Sequence, residues 1–203
     1  QSLMGGVVSG LVFRPPKKPT YDLKNGFKCV YTSSIESKHP GLAIHVDLQY
    51  EITMLFLHGN AEDAGVVAKY FNDTLCSKLK VNGFIPEYPG YGHLPGTPTE
   101  SAVYTAARQA YNYLTKELDI DPMNIVVYGR SLGSAPAIHI ASGGGMRGPP
   151  QIRGLVLQSP ILSVYRAGHP NLSTLLIGDM FVNIDKIGLV QTPTLIIHGV
   201  DDD

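Results

Sequence analysis

Apolar and polar positions along the chain follow two rhythms. Short runs of aliphatic and β-branched residues occur at 52–57, 124–128, 152–157 and 194–197, the pattern of strands buried on both faces. Residues 81–87 read as a further strand, and 28–32 with 42–48 as a leading antiparallel pair. Between these runs apolar residues recur at i, i+3 and i+4. Over 99–118, Val103, Ala106, Ala107, Ala110, Tyr111 and Leu114 share one helical face. Thr97 is the expected cap of that helix, Pro98 its first residue and Glu100 the partner in a capping box. Residues 61–80 read as a second helix that buries Val66, Val67, Tyr70, Phe71 and Leu75.

Strands alternating with helices imply βαβ units, hence a mostly parallel central sheet with helices on both faces. The expected fold class is therefore α/β. A chain of 203 residues fits a single domain, 1–203. The glycine- and proline-rich stretch 143–150 reads as a surface loop. In such sheets ligands bind beyond the carboxyl ends of the strands, so the chemistry is expected in the loops that follow them.

Three of those loops are unusual. Gly129-Arg130-Ser131-Leu132-Gly133 lies between a strand and a helical stretch at 132–141. In that setting Gly-x-Ser-x-Gly makes a nucleophile elbow, with serine on a strained turn above the sheet. The amide of Leu132 is then aimed at a developing oxyanion. Leu57-His58-Gly59-Asn60-Ala61 ends another strand and is expected to supply the second donor, from Asn60 or alternatively Ala61. His58 reads as a brace for that turn rather than a general base. The third loop, His198-Gly199-Val200-Asp201-Asp202-Asp203, offers Asp202 as the acid that orients a catalytic histidine. Glu87-Tyr88-Pro89-Gly90-Tyr91-Gly92 forms a fourth, irregular loop, in which Tyr88 and Tyr91 are candidates for substrate binding or for core support. The segment 163–182, with Leu172, Leu175, Leu176, Ile177 and Met180, is either a small cap over the pocket or simple packing.

Taken together, Leu-His-Gly-Asn, Pro-Gly-Tyr-Gly, Gly-x-Ser-x-Gly and His-Gly-x-x-Asp resemble the α/β-hydrolase superfamily. Leu11-Val12-Phe13-Arg14-Pro15-Pro16, Pro19-Thr20-Tyr21, Ser131-Leu132-Gly133-Ser134-Ala135-Pro136, Phe181-Val182-Asn183-Ile184-Asp185-Lys186 and Thr192-Pro193-Thr194-Leu195-Ile196-Ile197-His198-Gly199 narrow the resemblance. They are similar to the alpha/beta hydrolase domain-containing protein seventeen subfamily, whose members remove palmitate from proteins. The resemblance implies an α/β-hydrolase fold and a serine hydrolase of acyl esters or thioesters, with Ser131 as nucleophile and Asp202 as triad acid. Some superfamily members of this outline are serine peptidases, and a non-catalytic binding protein of the same fold is the alternative from another class. Glu87 stands where relatives have aspartate, and Arg130 where glutamine or histidine precedes the nucleophile.

In this superfamily the catalytic histidine follows the acid in sequence. His39, His45, His58, His93, His139, His169 and His198 all precede Asp202. The expectation is therefore that the histidine, the last strand and the closing helix lie beyond residue 203, the domain being C-terminally incomplete as given. Residues 194–197 would then form an apolar sheet edge.

A net charge of −1 offers nothing to neutralise phosphates, so nucleic acid is not an expected partner. Acyl esters, thioesters or an acylated protein are the expected substrates. Neither Cys29 nor Cys76 follows a metal-ligand spacing, and both read as free thiols of a reducing compartment. No apolar run reaches the roughly 18 residues of a membrane span. The expected location is the cytoplasm or the cytoplasmic face of a membrane. No cofactor or metal is expected, since hydrolysis by this mechanism requires none.

Overall fold

The computed structural model describes residues 12–24, 26–33, 38–146, 148–168 and 179–200. Seven strands form one sheet: β1 (Lys28–Ser33), β2 (Gly41–Val46), β3 (Ile52–Leu57), β4 (Val81–Pro86), β5 (Ile125–Arg130), β6 (Gly154–Gln158) and β7 (Thr194–Ile197). Their order is β1-β2-β4-β3-β5-β6-β7. Strands β1 and β2 pair antiparallel, as do β2 and β4, while β4, β3, β5, β6 and β7 run parallel. All seven lie where the hydrophobic pattern places them, with no end shifted by more than two residues.

Alternation along each strand separates two cores, because successive side chains point to opposite faces. Leu55 and Leu57 of β3 join one cluster, with Phe84, Val127 and Leu155. Met54 and Phe56 join the other, with Ile44, Ile85 and Tyr128. Helices α2 (Glu100–Asn112) and α3 (Ser134–Ala141) cover the first face through Ala107, Ala110, Ala137, Ile138 and Ala141. Helix α1 (Ala64–Tyr70) covers the second and continues through a π-helical turn, Phe71–Cys76, and a last turn, Ser77–Leu79. Both expected helices are therefore present. Each winds wider near its end, α2 through the π turn Tyr113–Glu117.

Two details depart from the pattern reading. Thr99, not Thr97, caps α2: its side chain accepts from the amide of Ala102 at 3.2 Å. Pro98 therefore precedes the helix instead of opening it. Glu100 accepts from the hydroxyl of Tyr104 and from the amide of Phe181, at 2.8 and 3.0 Å. On α1 the buried face is Ala64, Val67, Ala68 and Phe71, whereas Val66 and Tyr70 are 44% and 48% exposed. Small residues let that helix lie close on the sheet, so the bulkier pair turns outward. There they border a hollow of about 740 Å³, shared with Thr20, Tyr21 and Phe27.

Strand β7 joins the sheet beside β6, and its residues are exposed, Leu195 and Ile196 at 57% and 59%. Cys29 and Cys76 are free, and burial pushes the Cys76 thiol up to about 11. No described helix is long and apolar enough to cross a membrane. The candidate cap, 163–182, falls partly outside the described residues. Its start is a short helix, α4 (Val164–Gly168), and its end includes the buried Phe181.

Candidate active site

Strand β5 delivers the chain to a tight turn. Ser131 sits at φ 51°, in the left-handed region, and a 3₁₀ turn over Ser131–Gly133 leads into α3. Such a φ is costly for a residue with a Cβ and persists only where packing enforces it. The packing here leaves no room for alternatives. A Cβ on Gly129 would lie 2.5 Å from the carbonyl oxygen of Gly133 and 2.7 Å from Cα of Ser134. One on Gly133 would strike the carbonyl oxygen of Leu57 and lie 2.7 Å from that of His58. Both glycines of the motif are thus demanded by backbone contacts, and Gly133 brings the end of β3 against the elbow.

Beneath the turn, the buried Ser134 donates to the carbonyl of Ser131 at 2.6 Å and accepts from the amide of Ile161 at 3.2 Å. Asn183 reaches the same hydroxyl at 3.4 Å and the carbonyl of Ile161 at 2.8 Å. A chain of neutral hydrogen bonds therefore ties the elbow to the segment that follows β6.

The loop after β3 faces the elbow from the other side. His58 is fully buried, its Nδ1 2.9 Å from the carbonyl oxygen of Gly59 and its Nε2 3.0 Å from Glu87. With both ring nitrogens engaged it braces the loop, as expected. Glu87, also fully buried, receives the hydroxyl of Tyr21 at 3.1 Å and the amide of Ala64 at 3.2 Å. Buried polar groups persist when every lone pair finds a donor, and Glu87 meets that condition. Asn60 accepts from the amide of Arg14 at 2.9 Å and the hydroxyl of Tyr91 at 2.7 Å, and donates to the carbonyl of Val12 at 2.6 Å.

Tyr88 and Tyr91 are fully buried. The hydroxyl of Tyr88 donates to the carbonyl of His58 at 3.1 Å, and that of Tyr91 to Asn60. Burial raises both phenols above their ordinary range, which keeps them neutral donors. Substrate contact is therefore corrected to core support: their hydroxyls are spent on the loop that lines the site.

What opens to solvent is a cleft of about 540 Å³ lined by Val12, Arg14, Asn60, Ser131, Leu132, Ile161, Val164, Tyr165 and Ala167. Ser131, Asn60 and Leu132 are thus brought together as the motifs suggested. Asp202 lies outside the described residues. The strand that leads toward it ends level with the elbow, since Arg130 pairs with Gln158 and Gln158 with Ile197. Of the histidines, His45 packs on Phe84, His93 hydrogen-bonds the carbonyl of Tyr21, and His139 stacks on Tyr104. Burial lowers His139 to about 4, with Lys186 and Arg108 adding to the effect.

Several lining residues carried no signal of a site in the hydrophobic pattern. Val12 and Arg14 entered only through the family resemblance and Val164 only through the candidate cap, while Ile161 lies in an irregular loop that no motif marks. Glu62, which bonds both the amide of Gly59 and the side chain of Arg130, could not be singled out because its partner Arg130 is 68 positions away.

No protein-family model matches the chain. Alpha/beta hydrolase domain-containing protein 17B of Homo sapiens is 29% identical over 98% of this chain and 75% of its own length. Alpha/beta hydrolase domain-containing protein aho-3 of Caenorhabditis elegans is 36% identical over 74% of this chain, which spans only 43% of that relative. Among solved structures, an alpha-beta hydrolase from Vibrio vulnificus superposes with a TM-score of 0.73 at 21% identity, over 97% of this chain and 76% of that one. The sheet order and the superposition show an α/β-hydrolase fold, and the sequence is similar to alpha/beta hydrolase domain-containing proteins over most of its length.

Proposed function

We propose that the protein is a serine hydrolase that cleaves acyl esters or thioesters through an acyl-enzyme on Ser131. The observation that carries this reading is the position of Ser131, held at φ 51° on the elbow and lining the cleft with Asn60 and Leu132. In this mechanism a histidine oriented by Asp202 takes the proton from the Ser131 hydroxyl as Oγ attacks the acyl carbonyl. The backbone amides of Leu132 and Asn60 receive the negative charge on the carbonyl oxygen. Collapse of the adduct expels the alcohol or thiol, which takes the proton back from the histidine, and water then releases the acid by the same path.

Val12, Ile161, Val164 and Ala167 give the cleft an apolar side suited to an acyl chain. The alpha/beta hydrolase domain-containing relatives support a hydrolase. Within that class, removal of a long acyl group from a protein thioester is the specific reaction we propose, with 163–182 as a small cap. The test is covalent labelling of the full-length protein by a fluorophosphonate probe. Labelling should vanish in Ser131→Ala, with ester turnover falling at least about 1,000-fold. A well-folded sample that takes no label would sink the reading.

A further inference from the structure

The nucleophile elbow and the loop opposite it belong to different strands, yet the gap between them must be fixed to a fraction of an ångström for two amides to meet one oxygen. One carboxylate spans that gap. Glu62 is buried, and its Oε1 accepts from the amide of Gly59 at 2.6 Å and from Nε of Arg130 at 2.9 Å. Its Oε2 accepts from the second guanidinium nitrogen of Arg130, completing a two-pronged ion pair. Arg130 is the residue immediately before the nucleophile, and Gly59 the residue immediately before Asn60. The carboxylate therefore holds the residue next to the Asn60 amide and, on the elbow, the residue two before the Leu132 amide with the nucleophile between them.

We propose that Glu62 and Arg130 form a clamp that sets the width of the oxyanion site, acting as positioning residues without touching substrate. The inference rests on the serine-hydrolase reading given above. A two-pronged guanidinium–carboxylate pair fixes orientation as well as distance, which a single hydrogen bond cannot do. The pair is half-sheltered, with the arginine side chain 36% exposed and the glutamate 8%, so solvent weakens it less than an open surface pair. The space is equally constrained. A Cβ on Gly59 would lie 2.9 Å from Oε1 of Glu62, so a methyl group there meets the carboxylate of the clamp.

The experiment measures kcat and KM for a p-nitrophenyl ester on the full-length protein, with the rate of fluorophosphonate labelling and the melting temperature. Glu62→Gln and Arg130→Met should each lower kcat by about 100-fold while KM stays within about threefold, the pattern of an interaction felt in the transition state. The double variant should be no worse than either single one, because the two side chains act as a unit. Arg130→Lys, which keeps the charge but loses the fork, should fall between wild type and Arg130→Met. Glu62→Asp keeps the charge and shortens the reach, and should lose about tenfold in kcat. Should the neutral variants fail to fold, Glu62→Asp and Arg130→Lys decide the matter. Folded variants with wild-type kcat, or losses confined to KM, would overturn the clamp while Ser131→Ala still abolished labelling. Labelling that survives Ser131→Ala would overturn the functional reading and the clamp with it.

Discussion

The two sides of the cleft are built on different principles. On the β3 side, buried carboxylates do the holding: Glu62 ties Gly59 to Arg130, and Glu87 ties His58, Tyr21 and the start of α1. On the β6 side, neutral contacts do it, with Ser134 and Asn183 hydrogen-bonded to Ile161 and apolar residues toward solvent. The first arrangement is unforgiving, because removing one partner of a buried charge leaves the other stranded. The second can be reshaped at little cost. Rigidity is thus placed where the proposed mechanism needs a fixed oxyanion donor, and tolerance where a substrate chain would lie.

The sharpest test of that contrast is at the seam between the sides. Gly133→Ala sets a methyl group against the backbone of Leu57 and His58, which cannot move without displacing β3. The expected loss exceeds about 4 kcal/mol, read as failure to recover folded protein by far-ultraviolet circular dichroism. Next comes Glu87→Ala, which strands His58 and leaves the hydroxyl of Tyr21 and the amides of Ala64 and Tyr88 without this acceptor. Chemical denaturation should show a loss of about 3–5 kcal/mol, and recovery of wild-type stability would break the comparison. On the opposite side, Val164→Phe narrows the cleft at a half-buried position. Stability should change by less than about 0.5 kcal/mol, while the ratio of kcat/KM for long against short acyl esters falls by about fivefold. Equal sensitivity of the two sides to such substitutions would show that the contrast is superficial.

Local signals carried far in this chain, and distant pairings did not. Four strands follow from aliphatic and β-branched runs and the other three from shorter apolar patterns, while the buried face of α2 follows from its 3.6-residue period. The elbow was legible because glycine two positions to either side of Ser131 is a local steric requirement. The face of α1 was misread, since hydrophobicity ranks Val66 and Tyr70 above Ala64 and Ala68, while close packing on a sheet rewards the small residues. Thr97 and Thr99 both precede the same helix, and only the backbone shows which of them caps it. The role of Glu62 depends on Arg130, 68 positions away, and no periodicity encodes such a pair. Tyr88 and Tyr91 looked equally suited to substrate and to core until their hydroxyl partners were visible.

The backbone angle at Ser131 has a consequence for evolution as well as for chemistry. A left-handed serine costs roughly 1–2 kcal/mol relative to an ordinary conformation, whereas glycine occupies that region freely. Allowing for the extra disorder glycine brings to the unfolded chain, Ser131→Gly should raise the free energy of unfolding by about 0.5 kcal/mol. Urea titration of the two proteins would measure it, and a variant less stable than its parent would contradict the account. The fold on its own would be better off without a side chain at this position, so selection for stability alone drifts toward glycine. Under the proposed mechanism, a serine on that turn is a concession made by folding to the reaction.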